Sequence, residues 1–282
     1  MRVRPAELAD LDRMADLAAE KRVAQAAWEP DFWRVAERAR ELHPLYLRFL
    51  LTQPDVIARV SLSAGGEVDG FAIARCGEAC VIDDFNLARP ELWSSAGRAL
   101  LDDVLTGVRA HASRDLVIVC AERDLEKAAM LRTAGLAVSC AFRFLRLRGV
   151  AHSVPDAVRP ARDADADTIA AIRARAKPLH HGMPVHDADL CLVHAPAGRV
   201  TGFTRAKLGI PPPPVYAAGG TVCFALELSG EDDLLLALEA RAAASGDVGI
   251  LLPCAASDAG LRARLDARGY RHPVDWYHQA VL

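Results

Sequence analysis

The chain has 282 residues, 52% of them hydrophobic and 25% charged, with 34 Lys and Arg set against 37 Asp and Glu. A formal net charge of −3 gives no electrostatic footprint for nucleic acid or an acidic membrane. No apolar run reaches bilayer length, and the opening MRVRPAELADLD lacks the apolar centre of a secretion signal, so a cytoplasmic protein is expected. Seven cysteines, an odd count, sit mostly in apolar runs such as those around Cys120, Cys191, Cys223 and Cys254. They read as buried free thiols rather than a disulfide framework. Cys76 and Cys80 have no second pair at zinc spacing, and no metal site is expected there.

In chain order, a short strand over residues 2–6 leads into a helix carrying Leu8, Leu11, Ala15 and Ala18 on one side. Helical stretches follow from Trp28 to about Gln53, with a break expected at His43-Pro44, because proline begins a helix but does not sit inside one. A hairpin then joins residues 56–63 and 68–75 through a turn at Gly65-Gly66. Residues 81–87 read as a strand ended by Pro90, and from Ser95 the positions Ala96, Leu100, Leu101, Val104, Leu105 and Val108 fall at helical spacing. The strand 116–120, a helix over 124–134 stopped by Gly135, and the strand 138–147 close the first half.

The opening Val-Arg-Pro-Ala recurs at 158–161, followed again by acidic residues and a helix with Ile169, Ala170 and Ile172. A hairpin (190–194 and 200–207), a strand (221–228), a helix (231–244), a strand (248–252), a helix (258–268) ended by Gly269 and a last strand (273–281) repeat the first half's order. The order implies duplication, with domains at 1–148 and 157–282 and a linker at 149–156. The tetraproline 211–214 reads as a stiff loop inside the second half, and Trp276-Tyr277-His278 as a junction between halves.

The stretch from Val81 to Leu101 carries the chemistry. Between its strand and its helix lies Trp93-Ser94-Ser95-Ala96-Gly97-Arg98, small residues at a helix start whose unpaired N–H groups suit an anion such as a pyrophosphate. The same residues also fit a helix capped by Ser94 or Ser95 with Gly97 allowing close packing.

This order of elements resembles the GCN5-related N-acetyltransferase (GNAT) superfamily, twice over. The family's phosphate loop, glutamine or arginine, two residues, glycine, one residue, then glycine or alanine, falls on Leu92 to Gly97. Gly97 fits, while Leu92 and Ser95 depart from it. The resemblance implies an α+β fold of two tandem GNAT-like domains, each a twisted, mixed but mostly antiparallel sheet flanked by helices. It implies acetyl-CoA or another acyl-CoA as cofactor, held by Phe85, Asn86, Leu87, Trp93, Ser94, Ser95, Ala96, Gly97, Arg98, Asp124 and Leu131. The Leu87 amide would donate to the thioester carbonyl, and Asp83 or Asp84 would serve as base, at most one facing substrate because strand side chains alternate. Leu131 stands where the family carries its acidic tyrosine, and Leu265 stands at the equivalent position of the second half; Tyr46 and Cys120 are the substitutes within reach. Trp28, Phe32 and Trp33 either wall the acceptor or pack a helix.

In the second half only Ser229-Gly230 separates the strand from Glu231, Asp232 and Asp233, so that copy is expected to keep the fold and lose the cofactor. His180, His181 and His186 lack metal spacing and read as loop. The expected function is acyl transfer to an amine of a small acceptor, the alternative being a non-catalytic acyl-CoA-binding or scaffold protein. No nicotinamide dehydrogenase is expected, since no G-x-G-x-x-G follows a strand. Homodimerisation stays open.

Overall fold

The structure is a computed structural model that describes residues 2–111, 113, 115–148, 153–175, 187–217 and 219–281. The expected loop of His180, His181 and His186 and the start of the expected linker lie outside these residues. The chain divides into two compact units, Met1–Ser139 with Pro214–Tyr216 and Pro273–Leu282, and Cys140–Pro213 with Ala217–His272.

The first unit is built on a mixed, mostly antiparallel sheet. Its strands are β1 (Arg2–Pro5), β2 (Val56–Leu62), β3 (Val68–Cys76), β4 (Ala79–Leu87), β5 (Asp115–Ala121) and, from the far end of the chain, β12 (Arg271–Ala280). They are ordered β1-β2-β3-β4-β5-β12 and every pairing is antiparallel except β4 with β5. One face packs α1 (Leu11–Trp28) and α2 (Ala39–Leu50) over Phe71 and Ile73; the other packs α3 (Ala96–Ala110) and α4 (Leu125–Thr133) over Ala72, Ala74, Ile82 and Phe85. Consecutive β3 residues thus alternate between two apolar layers, as a strand buried on both faces requires.

The second unit repeats this arrangement. Its strands are β6 (Ala137–Arg146), β7 (Val158–Pro160), β8 (Leu190–His194), β9 (Gly202–Ile210), β10 (Val222–Ser229) and β11 (Gly249–Ala255), ordered β6-β11-β10-β9-β8-β7, with β10 and β11 the parallel pair. Its helices are α5 (Ala166–Arg175), α6 (Asp232–Ala244) and α7 (Ala259–Ala267).

The duplication extends to single contacts. Arg4 grips Asp10 through two hydrogen bonds (2.7 and 2.8 Å), while the Glu7 amide donates to the same carboxylate at 2.8 Å. Arg159 and the Arg162 amide hold Asp165 in the same way at 2.7, 2.9 and 2.7 Å. Gly135 (φ +89°) and Gly269 (φ +83°) both end their helix in the left-handed conformation, and the next amide, Leu136 or Tyr270, donates to Leu131 or Leu265 at 3.0 Å.

Four expectations are corrected. First, the closing strands are exchanged: β6 pairs with β11, and β12 pairs with β5, placing Tyr277 fully buried in the first unit's core. Chain order gives 1–148 and 157–282, but packing does not follow it. Second, α2 runs unbroken through Pro44, one lost ladder bond being offset by the buried stripe Ala39, His43, Leu47 and Leu50, and residues 29–38 are turns and irregular chain with a single β-bridge, Val35 to Tyr216, rather than helix. Third, Cys76 and Cys80 face each other across the β3–β4 turn and form a disulfide, whereas Cys120, Cys191, Cys223 and Cys254 stay free thiols as expected. Fourth, the proline loop is not confined to the second unit: Pro214–Tyr216 packs in the first, the Ala36 amide donating to Val215 at 3.0 Å and Trp33 lying 5.2 Å from the Tyr216 ring.

Candidate active site

The parallel strands β4 and β5 pair only from Ala79↔Asp115 to Ile82↔Ile118, so beyond Ile82 the sheet opens. Just there β4 carries a bulge: Ile73 is opposite Asp84 and Ala74 opposite Ile82, leaving Asp83 without a partner. The bulge reverses the alternation of β4. Cys80 and Ile82 face α3, and so does Phe85, while Asp83 and Asp84 both turn toward α2. The strict alternation behind the expectation that at most one aspartate faces a substrate does not hold here, because an extra residue shifts the side-chain parity.

The main chain past the bulge is aimed into the opening. The Ala88 amide donates to Asp69 at 2.8 Å, so Leu87, paired with Gly70, occupies a position whose N–H points away from β3 and toward β5. Phe85 alternates in step, and its carbonyl indeed faces the gap, where it accepts from the Lys127 ammonium at 3.3 Å. The same ammonium donates to Val119 on β5 at 2.8 Å and lies 5.3 and 5.5 Å from the Phe85 and Trp93 rings. Lys127 thus spans the open sheet from α4, almost completely buried, and its burial pushes the ammonium pKa down.

Alongside lies a cavity of about 310 Å³, walled by Pro90, Glu91, Trp93, Ser94 and Arg98 on one side and Glu126, Ala129, Met130 and Thr133 of α4 on the other. Ser94 and Ser95 are exposed, and the first-turn amides of α3 at Ala96, Gly97 and Arg98 have no intrahelical acceptor. Ser95 occupies the cap position, but its side chain makes no cap bond. Arg98 pairs with Asp102 at 2.9 Å. Gly97 is not open to a ligand as expected: a Cβ there would meet the Trp93 ring at 2.6 Å and Leu87 at 3.2 Å. Trp93 fills that space, so its glycine serves packing.

On the α2 side, Asp84 faces His43 Nε2 at 3.4 Å. Burial alone would raise the Asp84 carboxyl, but His43 and the nearby Arg22 charge bring it below the usual carboxylate range. Asp83, at the mouth, pairs with Arg75 at 2.5 Å. Tyr46 lies within electrostatic reach of both aspartates and is 40% exposed. Asp124 stands at the N-terminal cap position of α4 without a side-chain cap bond, its carboxylate holding Lys21 instead. Leu131 is buried in the core, with no polar group to offer. Cys120 is buried as well, its thiol pushed up to about 12 by burial. Trp28 lies under Lys21, and Phe32 and Trp33 stack edge to face at 4.7 Å.

The second unit also opens past its parallel pairing, which ends at Phe224↔Leu251, and has its own bulge at Leu226. Its helix start is filled. Arg264 donates to Gly230 at 2.9 Å and to Asp232 at 3.1 Å, over the place where the first unit has its cavity wall.

A structure of a GCN5-related N-acetyltransferase from Sphaerobacter thermophilus superposes with a TM-score of 0.60 at 14% identity, covering 99% of this chain and 95% of that one. The chain carries the GNAT fold in tandem. A tandem GNAT protein from the clavulanic acid biosynthesis pathway, solved without AcCoA, gives 0.50 at 13% identity, covering 100% of this chain and 98% of that one. No family model and no curated protein matches the sequence. At these identities the GNAT likeness establishes the fold, both units included, with the splayed parallel pair as its open feature. Among the described residues no helix is long and apolar enough to cross a membrane, and no group of His, Cys, Asp and Glu is set to hold a metal ion.

Three residues of this site were missed in the sequence: Arg22, His43 and Lys127. Each had a signal. Arg22 continues the buried stripe Leu11, Met14, Ala18 of α1, His43 sits between Ala39 and Leu47, and Lys127 precedes Leu131 by one turn. A charged or polar residue on an apolar stripe is the mark of a buried polar site.

Proposed function

We propose that the first unit transfers an acyl group from acyl-CoA, acetyl-CoA in the simplest case, to the amine of a small acceptor. The observation that carries this reading is the Leu87 amide directed into the gap between β4 and β5, beside a cavity lined by the start of α3. A fixed N–H there stabilises negative charge developing on a thioester oxygen. The Ser94 to Arg98 main chain and Arg98 would hold the diphosphate, with Glu91 and Glu126 restricting how it lies. The coenzyme supplies the activated acyl carbon; the chain supplies the rest. Asp84 with His43 would receive the amine proton as the N–C bond forms and the C–S bond breaks. Lys127, one turn before Leu131 on α4, presents its ammonium to the same gap and supplies the charge and proton for the departing thiolate that Leu131 cannot.

A second reading is favoured by that same ammonium. Lys127 occupies the Phe85 and Val119 carbonyls that a pantetheine arm would use, which fits a unit that keeps the fold without the coenzyme. Thermal melts of wild type and Lys127→Ala with acetyl-CoA, CoA and longer acyl-CoAs separate the two. At about a hundred times its dissociation constant, a ligand of the folded state adds roughly 2.7 kcal/mol to stability. Wild-type stabilisation, with turnover lowered in the variant, supports acyl transfer. Stabilisation confined to Lys127→Ala, or none in either protein, rejects acyl transfer; the former shows the ammonium itself excluding the coenzyme, as the second reading has it.

A further inference from the structure

Arg22 is 5% exposed yet makes no hydrogen bond or ion pair with any described residue. Its charge is felt by Asp84 and Tyr216, but no ion pair joins Arg22 to Asp84, whose carboxylate is engaged by His43 at 3.4 Å. His43 itself is 3% exposed, and its other ring nitrogen, Nδ1, is buried without a partner. Tyr216, brought to this unit by the 214–216 segment, points its hydroxyl at Gln25 at 3.2 Å and backs onto Trp33. Asp83, Arg75, Tyr46 and Lys127 are further ionisable groups nearby, Asp83 and Arg75 paired with each other and Lys127 bonded to the Phe85 and Val119 carbonyls. The Arg22 nitrogens, unlike His43 Nδ1, are not sealed from solvent, so a guanidinium without a protein partner in this enclosed place is open to an incoming anion.

The site therefore offers one cation and one anion that do not neutralise each other. A small zwitterion matches both: its carboxylate meets the Arg22 fork and its ammonium meets Asp84. We infer that the acceptor is an amino carboxylate, such as an α-amino acid, bound by Arg22 through its carboxylate and presented amine-first to Asp84. The inference deepens the acyltransfer reading and rests on it for the fate of the amine, but not for binding.

The test is binding without coenzyme. Isothermal titration of the full chain with phenylalanine, tyrosine, leucine, histidine and lysine is compared with titration by their decarboxylated amines. At least one amino acid is expected to bind about 10- to 100-fold more tightly than its amine, and Arg22→Gln should remove that difference while circular dichroism stays unchanged. If Arg22→Gln fails to fold, the amino acid and amine pairs on wild type decide alone. Equal binding within every pair, or no binding by any amino acid, overturns the inference. A coenzyme that fails to bind while an amino acid does would sink acyl transfer and leave this site standing.

Discussion

Lys127 is the residue on which the proposed chemistry of the first unit turns, because a buried ammonium is costly unless something uses it. Its lowered pKa means that the folded chain binds fewer protons than the unfolded chain between the folded value and about 10.4, so in that window stability rises with pH on its account. Urea titrations from neutral to alkaline pH are expected to show wild type gaining on Lys127→Met as pH rises, and parallel curves would mean that the ammonium is not desolvated. Asp84 has the opposite sign: its carboxyl is held low, so its contribution is present above about 3.9 and is lost as pH falls through its folded value. For catalysis, Asp84→Asn should lower kcat/KM for the amine about 10²- to 10⁴-fold while leaving coenzyme binding intact, read by amine turnover with free-thiol detection. Asp83 and Asp84 were legible as candidates because acidic residues rarely sit in an apolar strand. Their shared orientation was not, since nothing in the residue types announces a one-residue bulge.

Among the elements, the turn from β4 into α3 is held by Trp93 against Gly97, and the fit is tight enough to test. Gly97→Ala should cost about 1–3 kcal/mol through overpacking, against a helix-propensity gain of at most about 1 kcal/mol. Pairing it with Trp93→Leu should recover part of that loss, measured by denaturant midpoints. Additive effects would show that the ring does not fill that space. The duplicated clasps at Asp10 and Asp165 predict acid sensitivity. Asp165 is held at about 2, so its clasp stabilises the fold above about 4 and lets go as pH drops from there toward 2. Asp165→Asn should flatten that part of the curve, seen in melts across the acid range. Most elements were legible in the sequence, since period-two strands and glycine-stopped helices announce themselves. Pro44 inside α2 was not, because packing of Leu47 and Leu50 outweighs one missing bond.

At the scale of the molecule, the repeat was readable from order alone, but the exchange of β6 and β12 was not. Either strand satisfies the same hydrogen-bonding slot, and the sequence pattern of the two is interchangeable at that level. The exchange predicts that a fragment of residues 1–148 does not reach the native state, since it lacks Tyr277 and the partner of β5. Joining 271–280 to 1–139 through a flexible linker should restore a cooperative melt, and cooperative unfolding of the 1–148 fragment by itself would contradict the pairing. Loops closed over such separations fold slowly. During synthesis, the first sheet therefore waits with β5 uncovered until residues 271–280 emerge, and a message interrupted anywhere in the second half leaves the first half without its seam. The two copies are therefore tied together in folding, even though only the first keeps an open helix start beside its gap.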